Sequence, residues 1–259
     1  MAEEAKHIDT NAPQLDENCA QLLDEVQQYF SVRFEEWAED HCAFQVKKRD
    51  ENQIATEGSI YYYKNAKCEK IAHELLHAKC EYMWGSDYYE LVGNGPSAIY
   101  NLIFNKYYWQ MFSNHVQHYV MFKEYKRLGY DPLEFFEKLI FPEKDMRKFA
   151  LKGIKKVNGE YDARLLKYYL FAIVHVMLFP IDNRFKKQRK TFEQIDKSLF
   201  DIHYELRSKL DLIGFSANDR ELILAAESIY KQKMIRWVSE NNIAMPNPME
   251  MQEIINMQE

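Results

Sequence analysis

Residues 70–79 read Lys-Ile-Ala-His-Glu-Leu-Leu-His-Ala-Lys, and two histidines in this stretch lie four residues apart. No proline or glycine interrupts the segment from Cys68 to Trp84, so the segment is predicted to be helical. Residues four apart share one face of a helix, so His73 and His77 can direct two imidazole nitrogens at one metal ion. The stretch therefore predicts a metal-binding helix.

Glu74 directly follows the first histidine and completes the pattern His-Glu-x-x-His. The next position on a helix lies about a third of a turn away, so this carboxylate can reach a water on the metal rather than the metal itself. Zn²⁺ lowers the pKa of such a water to about 7, and a neighbouring carboxylate can take its proton as the water attacks a carbonyl. We therefore expect His73 and His77 to bind Zn²⁺ and Glu74 to be the general base.

The motif, together with the strand-like run Ser59 to Tyr63 before it, resembles the zincin-type HExxH zinc metallopeptidases. The resemblance implies a small β-sheet beside the active-site helix, hydrolysis of a peptide bond, and a peptide or protein substrate. The metzincin subclass is excluded, since its longer motif requires Gly and His where this chain has Cys80 and Met83. The motif followed by N-x-x-Q-H, at Asn114–His118, is similar to a set of uncharacterised bacterial zincin-like proteins.

A zincin needs a third protein ligand, which usually comes from a later helix. His118 is the preferred candidate, His115 the second and Glu124 the third, and all three fall on one long predicted helix. Tyr119, or whichever of the two histidines is not a ligand, is a candidate to stabilise the oxyanion of the transition state. Glu81 lies one turn past the motif on the same helix, too close to complete a tetrahedral site.

A second hypothesis is a non-catalytic helical module that binds a protein partner and has an inactive or structural metal site. A structural zinc site usually fills all four positions with protein ligands, whereas a catalytic one keeps a position for water. Cys80, one turn past His77, is the residue that can supply a fourth ligand, although a small buried side chain is the simpler interpretation. His175, within an apolar run, is interpreted as a hydrogen-bonded core histidine.

Glycine (8 residues) and proline (7 residues) are scarce among the 259 residues, which favours long helices. We predict an α+β, predominantly α-helical fold, with two or three short strands between residues 42 and 65. The first helix is predicted from Leu15 to Glu39, because apolar residues recur there at helical spacing. Further helices are predicted at 67–83, 97–127, 132–140, 143–151, 161–179, 185–212 and 217–240, the last capped by Ser216 or Asn218.

Residues 1–180 are predicted to form the zincin-like metallopeptidase domain and residues 181–241 a helical extension packed on it. The break between them is placed at Pro180. Residues 242–259 contain two prolines and four methionines and are predicted to be a flexible tail.

Composition and charge argue against several classes of function and location. The formal net charge of −6 makes nucleic-acid binding through a broadly basic surface unlikely, despite the basic run at 184–190. The longest apolar stretch, Tyr168 to Ile181, is shorter than the roughly 20 residues that cross a bilayer. Four irregularly spaced cysteines do not indicate a disulfide framework, and residues 1–14 lack the apolar core of a secretory signal. We expect a cytoplasmic protein with no membrane partner.

The three tyrosines of the run Ser59–Tyr63 leave two interpretations open. The strand can offer a free sheet edge to an extended peptide through backbone hydrogen bonds. Equally, its tyrosines can be half-buried strand residues with a structural role.

Overall fold

A computed structural model describes residues 13–51, 54–84, 96–135, 160–181 and 184–244. In chain order the elements are α1 (Glu17–Gln27), β1 (Ser31–Trp37), β2 (Ala43–Arg49), β3 (Ala55–Tyr63), α2 (Cys68–Trp84), α3 (Ala98–Ile103), α4 (Lys106–Arg127), β4 (Tyr161–Asp162), α5 (Ala163–Met177), α6 (Lys186–Ile195), α7 (Lys197–Asp211), a 3₁₀ turn (Ala217–Asp219), α8 (Arg220–Glu240) and β5 (Ile243–Ala244). The predicted α+β, predominantly helical fold is confirmed. No helix in the described ranges has both the length and the apolar character needed to cross a membrane.

The chain divides into two units. The first comprises residues 1–86, 121–138 and 215–217, and the second comprises residues 87–120, 139–214 and 218–259. Helix α4 contributes to both, because the division falls between Val120 and Met121, inside one continuous helix. The boundaries proposed from the sequence, at 180 and 241, stay a prediction, and residues 245–259 of the proposed tail lie outside the described residues.

The first unit contains a three-stranded sheet in the order β1-β3-β2. β3 pairs with β1 in parallel and with β2 in antiparallel register, so that Ser59 stands opposite Arg33 on one side and Gln45 on the other. Ser59–Tyr61 therefore has strands on both sides, so the free-edge interpretation is wrong for this part of the run, while the printed pairing of Tyr62 and Tyr63 within the described sheet is with β1. The structural interpretation of its tyrosines stands, since Tyr62 is buried and Tyr61 is partly buried.

The predicted helix from Leu15 to Glu39 is wrong in its second half. Helix α1 ends at Gln27, and Ser31–Trp37 forms strand β1. Phe30, Phe34 and Trp37 recur at spacings of four and three, which also suits a helix. Pairing of all seven residues of β1 with β3 outweighs that local pattern, because a strand gains its stability from a partner distant in sequence.

Two long predicted helices are each divided by a polar capping residue. The Asn105 side chain accepts from the Tyr108 amide at 3.0 Å and begins α4, so the predicted helix 97–127 is two helices. Asp196 accepts from the Leu199 amide at 2.9 Å and begins α7, which divides the predicted helix 185–212. Such side chains replace the hydrogen bonds that the first amides of a helix lack.

The remaining predicted helices have mixed outcomes. The last one begins at Arg220 after a 3₁₀ turn, with Asp219 in the cap position, so Ser216 and Asn218 are not its cap. Of the predicted helices 132–140 and 143–151, only residues 132–135 are described, and these form a turn.

The second unit has a buried polar chain in its core. His203 is fully buried, its Nδ1 donates to the Leu199 carbonyl at 2.8 Å, and its Nε2 accepts from the Tyr230 hydroxyl at 2.9 Å. The Tyr230 oxygen in turn accepts from the Tyr108 hydroxyl at 2.6 Å. All three of these hydrogen bonds can form when the His203 imidazole is neutral, because Nε2 then has a lone pair that accepts from Tyr230. Burial accordingly lowers the pKa of His203 from 6.5 to about 4.

This histidine makes stability depend on pH. The unfolded chain binds a proton at His203 below pH 6.5 while the folded chain stays neutral down to about pH 4, so the free energy of unfolding falls as pH drops through this window. Substituting His203→Gln removes the titration and should reduce that fall by about 3 kcal/mol, measured by urea denaturation between pH 7 and pH 4. Ser208→Ala, at an exposed position of α7 without a titratable side chain, is the control and should leave the pH dependence as in the wild type. An equal pH dependence in wild type and His203→Gln would contradict the prediction.

Candidate metal centre

Helix α2 carries the HExxH motif and has almost the bounds predicted, Cys68–Trp84 against 67–83. Ile71, Leu75 and Ala78 are fully buried on the side of the helix that packs within the first unit, where α2 contacts α1 and β3. His73 and His77 are only partly buried. The apolar residues of the motif therefore anchor the helix and turn both histidines to the same side.

Three of the proposed site residues come together. One ring nitrogen each of His73, His77 and His118 lies within 4.8 Å of the other two. The His73 and His77 rings have centroids 5.0 Å apart, as expected for positions one helical turn apart. His118 lies on α4, three residues before the half of that helix that belongs to the first unit. The preferred third ligand is therefore the residue that the structure groups with the motif.

His73 is supported by the turn that follows α4. Its ring donates a hydrogen bond to the backbone of Phe135, and the Phe135 ring packs on it with centroids 4.5 Å apart. Burial lowers the pKa of His73 well below 6.5, and the charges of His77 and Lys70 lower it further. A neutral imidazole that donates from one nitrogen has a lone pair on the other, which is the form a metal requires.

His115, the second candidate for the third ligand, has partners at both ring nitrogens. Its Nδ1 lies 2.8 Å from the Met111 carbonyl, and its Nε2 lies 2.9 Å from Nδ1 of His175. Donation to Met111 leaves Nε2 as an acceptor, so His175 donates to it. Burial lowers the pKa of both histidines, that of His175 to about 3. This pair lies in the core of the second unit, and His115 is not part of the metal-binding group.

Glu124 and Tyr119, the other two candidates, are also engaged elsewhere. The Arg127 guanidinium donates to both carboxylate oxygens of Glu124 at 2.8 and 2.7 Å and lowers the pKa of that carboxyl. The Tyr119 hydroxyl donates to Asp211 at 2.5 Å, and Arg207 stacks on its ring at 5.2 Å. Glu124 is outside the group of His73, His77 and His118, and the predicted role of Tyr119 at the oxyanion stays a prediction.

Cys80 and Glu81 also lie outside this group. Cys80 is fully buried, and burial raises the pKa of its thiol well above 9. A thiol that resists deprotonation is a poor metal ligand. Glu81 forms an ion pair with Arg49 at 2.8 Å. Asp87 and Glu90, the remaining carboxylates near the motif, fall outside the described residues.

The donor set fits a metal ion of the zinc type. Imidazole nitrogen suits Zn²⁺, and its tetrahedral sites have bonds of about 2.0–2.1 Å, which separate ligand atoms by about 3.3 Å. The three histidine nitrogens lie within 4.8 Å of one another, and small rotations of the three rings would bring them to the shorter spacing. Three protein ligands are grouped among the described residues.

Phe135 is the part of this arrangement that the sequence did not reveal. A residue that contributes a backbone carbonyl has no signature in its side chain, and residues 132–140 were predicted to be a helix, in which that carbonyl has a partner. The one available signal was Asp131-Pro132, a common start of a turn.

The three histidines should bind one metal ion together. Wild-type protein dialysed against buffer with micromolar zinc is expected to retain about one zinc per chain, because three imidazole nitrogens converge. His73→Ala, His77→Ala and His118→Ala should each lose most of it, as measured by elemental analysis and by competition with a chromophoric chelator. His41→Ala is the matched control and should keep the zinc. Zinc content that is equal in all five proteins would contradict the assignment.

Three comparisons with known proteins returned no match to this chain. No protein-family model matches the chain, no curated protein does, and no solved structure does. The metal-binding group is therefore described by its own geometry alone.

Proposed function

We propose that this protein is a zinc-dependent peptidase. The observation that carries the proposal is the grouping of His118 with His73 and His77, beside a glutamate that directly follows the first ligand. The spacing in the sequence identifies two candidate ligands on one helix. A third histidine, on a separate helix, lies next to them, and this supports a metal centre rather than two unrelated surface histidines. The likeness to HExxH metallopeptidases supplies the type of reaction.

Glu74 is the general base in this proposal. A zinc ion held by the three histidines would supply Lewis-acid activation, which brings the pKa of water to about 7. Glu74 takes the proton from the water as its oxygen attacks the peptide carbonyl, and then passes that proton to the leaving amine. Glu74 is partly buried on α2 and directly follows His73 in the sequence.

The proposal is favoured over a structural zinc site. A structural site usually has four protein ligands. Among the described residues the group contains three, and the cysteine considered as a fourth is a buried thiol outside it. A site with three ligands leaves room for the water that hydrolysis consumes.

The proposed substrate is a peptide or protein, and the proposed setting is the cytoplasm. Within the described sheet, the unpaired edges belong to β1 and β2, so an extended peptide would have to add to one of these strands rather than to β3. All four cysteines are free, which suits a reducing compartment.

Replacing Glu74→Gln tests the proposal. The variant should keep its zinc, because Glu74 is not a ligand, while hydrolysis falls by about 100-fold or more for lack of a general base. The measurement is cleavage of a proteome-derived peptide library, with new termini counted by mass spectrometry and zinc counted by elemental analysis. Glu69→Gln, the same change five residues earlier on α2, is the matched control and should keep both zinc and activity.

The outcomes separate the proposal from its rival. Cleavage by Glu74→Gln at the wild-type rate would remove Glu74 from the mechanism. Zinc binding by the wild type without cleavage of any library peptide would favour the non-catalytic module with a structural metal.

A further inference from the structure

The turn after α4 is fixed by its own hydrogen bonds and by its last side chain. Asp131 accepts from the amides of Leu133 at 2.9 Å and Glu134 at 3.0 Å. Phe135 is 1% exposed and packs on Phe122 with ring centroids 5.1 Å apart. The segment is therefore held firmly where its backbone meets His73.

Lys70 provides the strongest polar contact to this turn. Its ammonium donates to the backbone carbonyl of Glu134 at 2.5 Å and lies 3.7 Å from the carboxylate of the same residue. The carbonyl belongs to the peptide group that joins Glu134 to Phe135. Because Lys70 precedes His73 by three residues, both side chains lie on one face of α2 and meet consecutive parts of the turn.

The burial of Lys70 shows that this contact is not an ordinary surface ion pair. Lys70 is 7% exposed, and a buried ammonium is costly unless its donors are satisfied. Lys67 differs, since its side chain is 58% exposed and its ammonium lies 2.9 Å from the carboxylate of Glu134. Two lysines thus reach the same residue, and among the described residues Lys70 is the one whose ammonium bonds to its backbone carbonyl.

We propose that Lys70 is a positioning residue for the metal centre: it holds the Glu134–Phe135 peptide so that the Phe135 carbonyl fixes the tautomer and orientation of His73. The step to metal binding rests on the proposed function, because it requires His73 to be a ligand. The hydrogen bond that a ligating histidine makes through its second nitrogen decides which nitrogen binds the metal. Here the acceptor of that bond is the backbone carbonyl of Phe135, so the residue that holds this backbone keeps the acceptor in place.

The first test reads the tautomer of His73 in metal-free protein. In a long-range ¹H–¹⁵N spectrum, wild type should show His73 as a single neutral tautomer, because only one ring nitrogen has the Phe135 carbonyl as its acceptor. Lys70→Met keeps the apolar stem and removes the ammonium, and is expected to show a mixture of both tautomers. Lys67→Met is the matched control and should give the wild-type spectrum. Glu134→Gln, which removes the carboxylate and keeps the carbonyl, should do so as well.

The second test reads zinc affinity by chelator competition. Lys70→Met should bind zinc about 10–100-fold more weakly than wild type, the range for loss of such a supporting contact, while Lys67→Met and Glu134→Gln stay within about threefold. Lys70→Arg, which restores a charged donor, should recover most of the affinity. If Lys70→Met does not fold, Lys70→Gln takes its place in both tests with the same expectations.

The outcomes distinguish this inference from the proposed function. A single unchanged tautomer and unchanged zinc affinity in a folded Lys70 variant would overturn the positioning role. Equal losses in the variants of Lys67 and Lys70 would also overturn it, because the carboxylate alone would then explain the effect. Absence of zinc binding by wild type would instead overturn the proposed function, and the tautomer spectra would still decide whether Lys70 orients His73.

Discussion

The candidate site depends on one constraint: a ring nitrogen each of His73, His77 and His118 must converge from two different helices. Burial penalises the protonated form of His73, and the charges of His77 and Lys70 add to this, which is why the pKa of His73 is lowered. Imidazole nitrogens that converge in this way are donors that suit a zinc-type ion. The contacts of His73 with the backbone and ring of Phe135 keep one of these rings oriented.

Helix α2 is held in place by paired charges as well as by its apolar face. Lys79 is buried and lies 2.5 Å from Glu25 of α1 and 3.9 Å from Glu124 of α4. Glu81 pairs with Arg49 of β2 at 2.8 Å. Buried ion pairs contribute little net stability, but losing one partner is costly, so they select one position of the helix over neighbouring ones. This explains why Glu124, a plausible ligand from the sequence, serves as an anchor for Lys79 and Arg127.

Histidines in this chain therefore have two kinds of environment. His115, His175 and His203 are buried with backbone or side-chain partners and belong to the core of the second unit. His73 and His77 are partly exposed, and the ring of His73 packs on that of Phe135. Sequence position does not reveal the difference, since His115 and His118 differ by only three residues on one helix.

The sequence by itself determined the local features. Helical periodicity fixed α2 to within one residue at each end and placed two histidines on one face, because hydrogen bonds within a helix join residues close in sequence. Short strands between residues 42 and 65 followed from β-prone runs for a similar reason. The tertiary structure alone decided that Ser31–Trp37 is a strand, that His118 rather than His115 joins the motif, and that Phe135 supports His73. Each of these depends on a partner tens of residues away, and local spacing has no information about which distant surfaces meet.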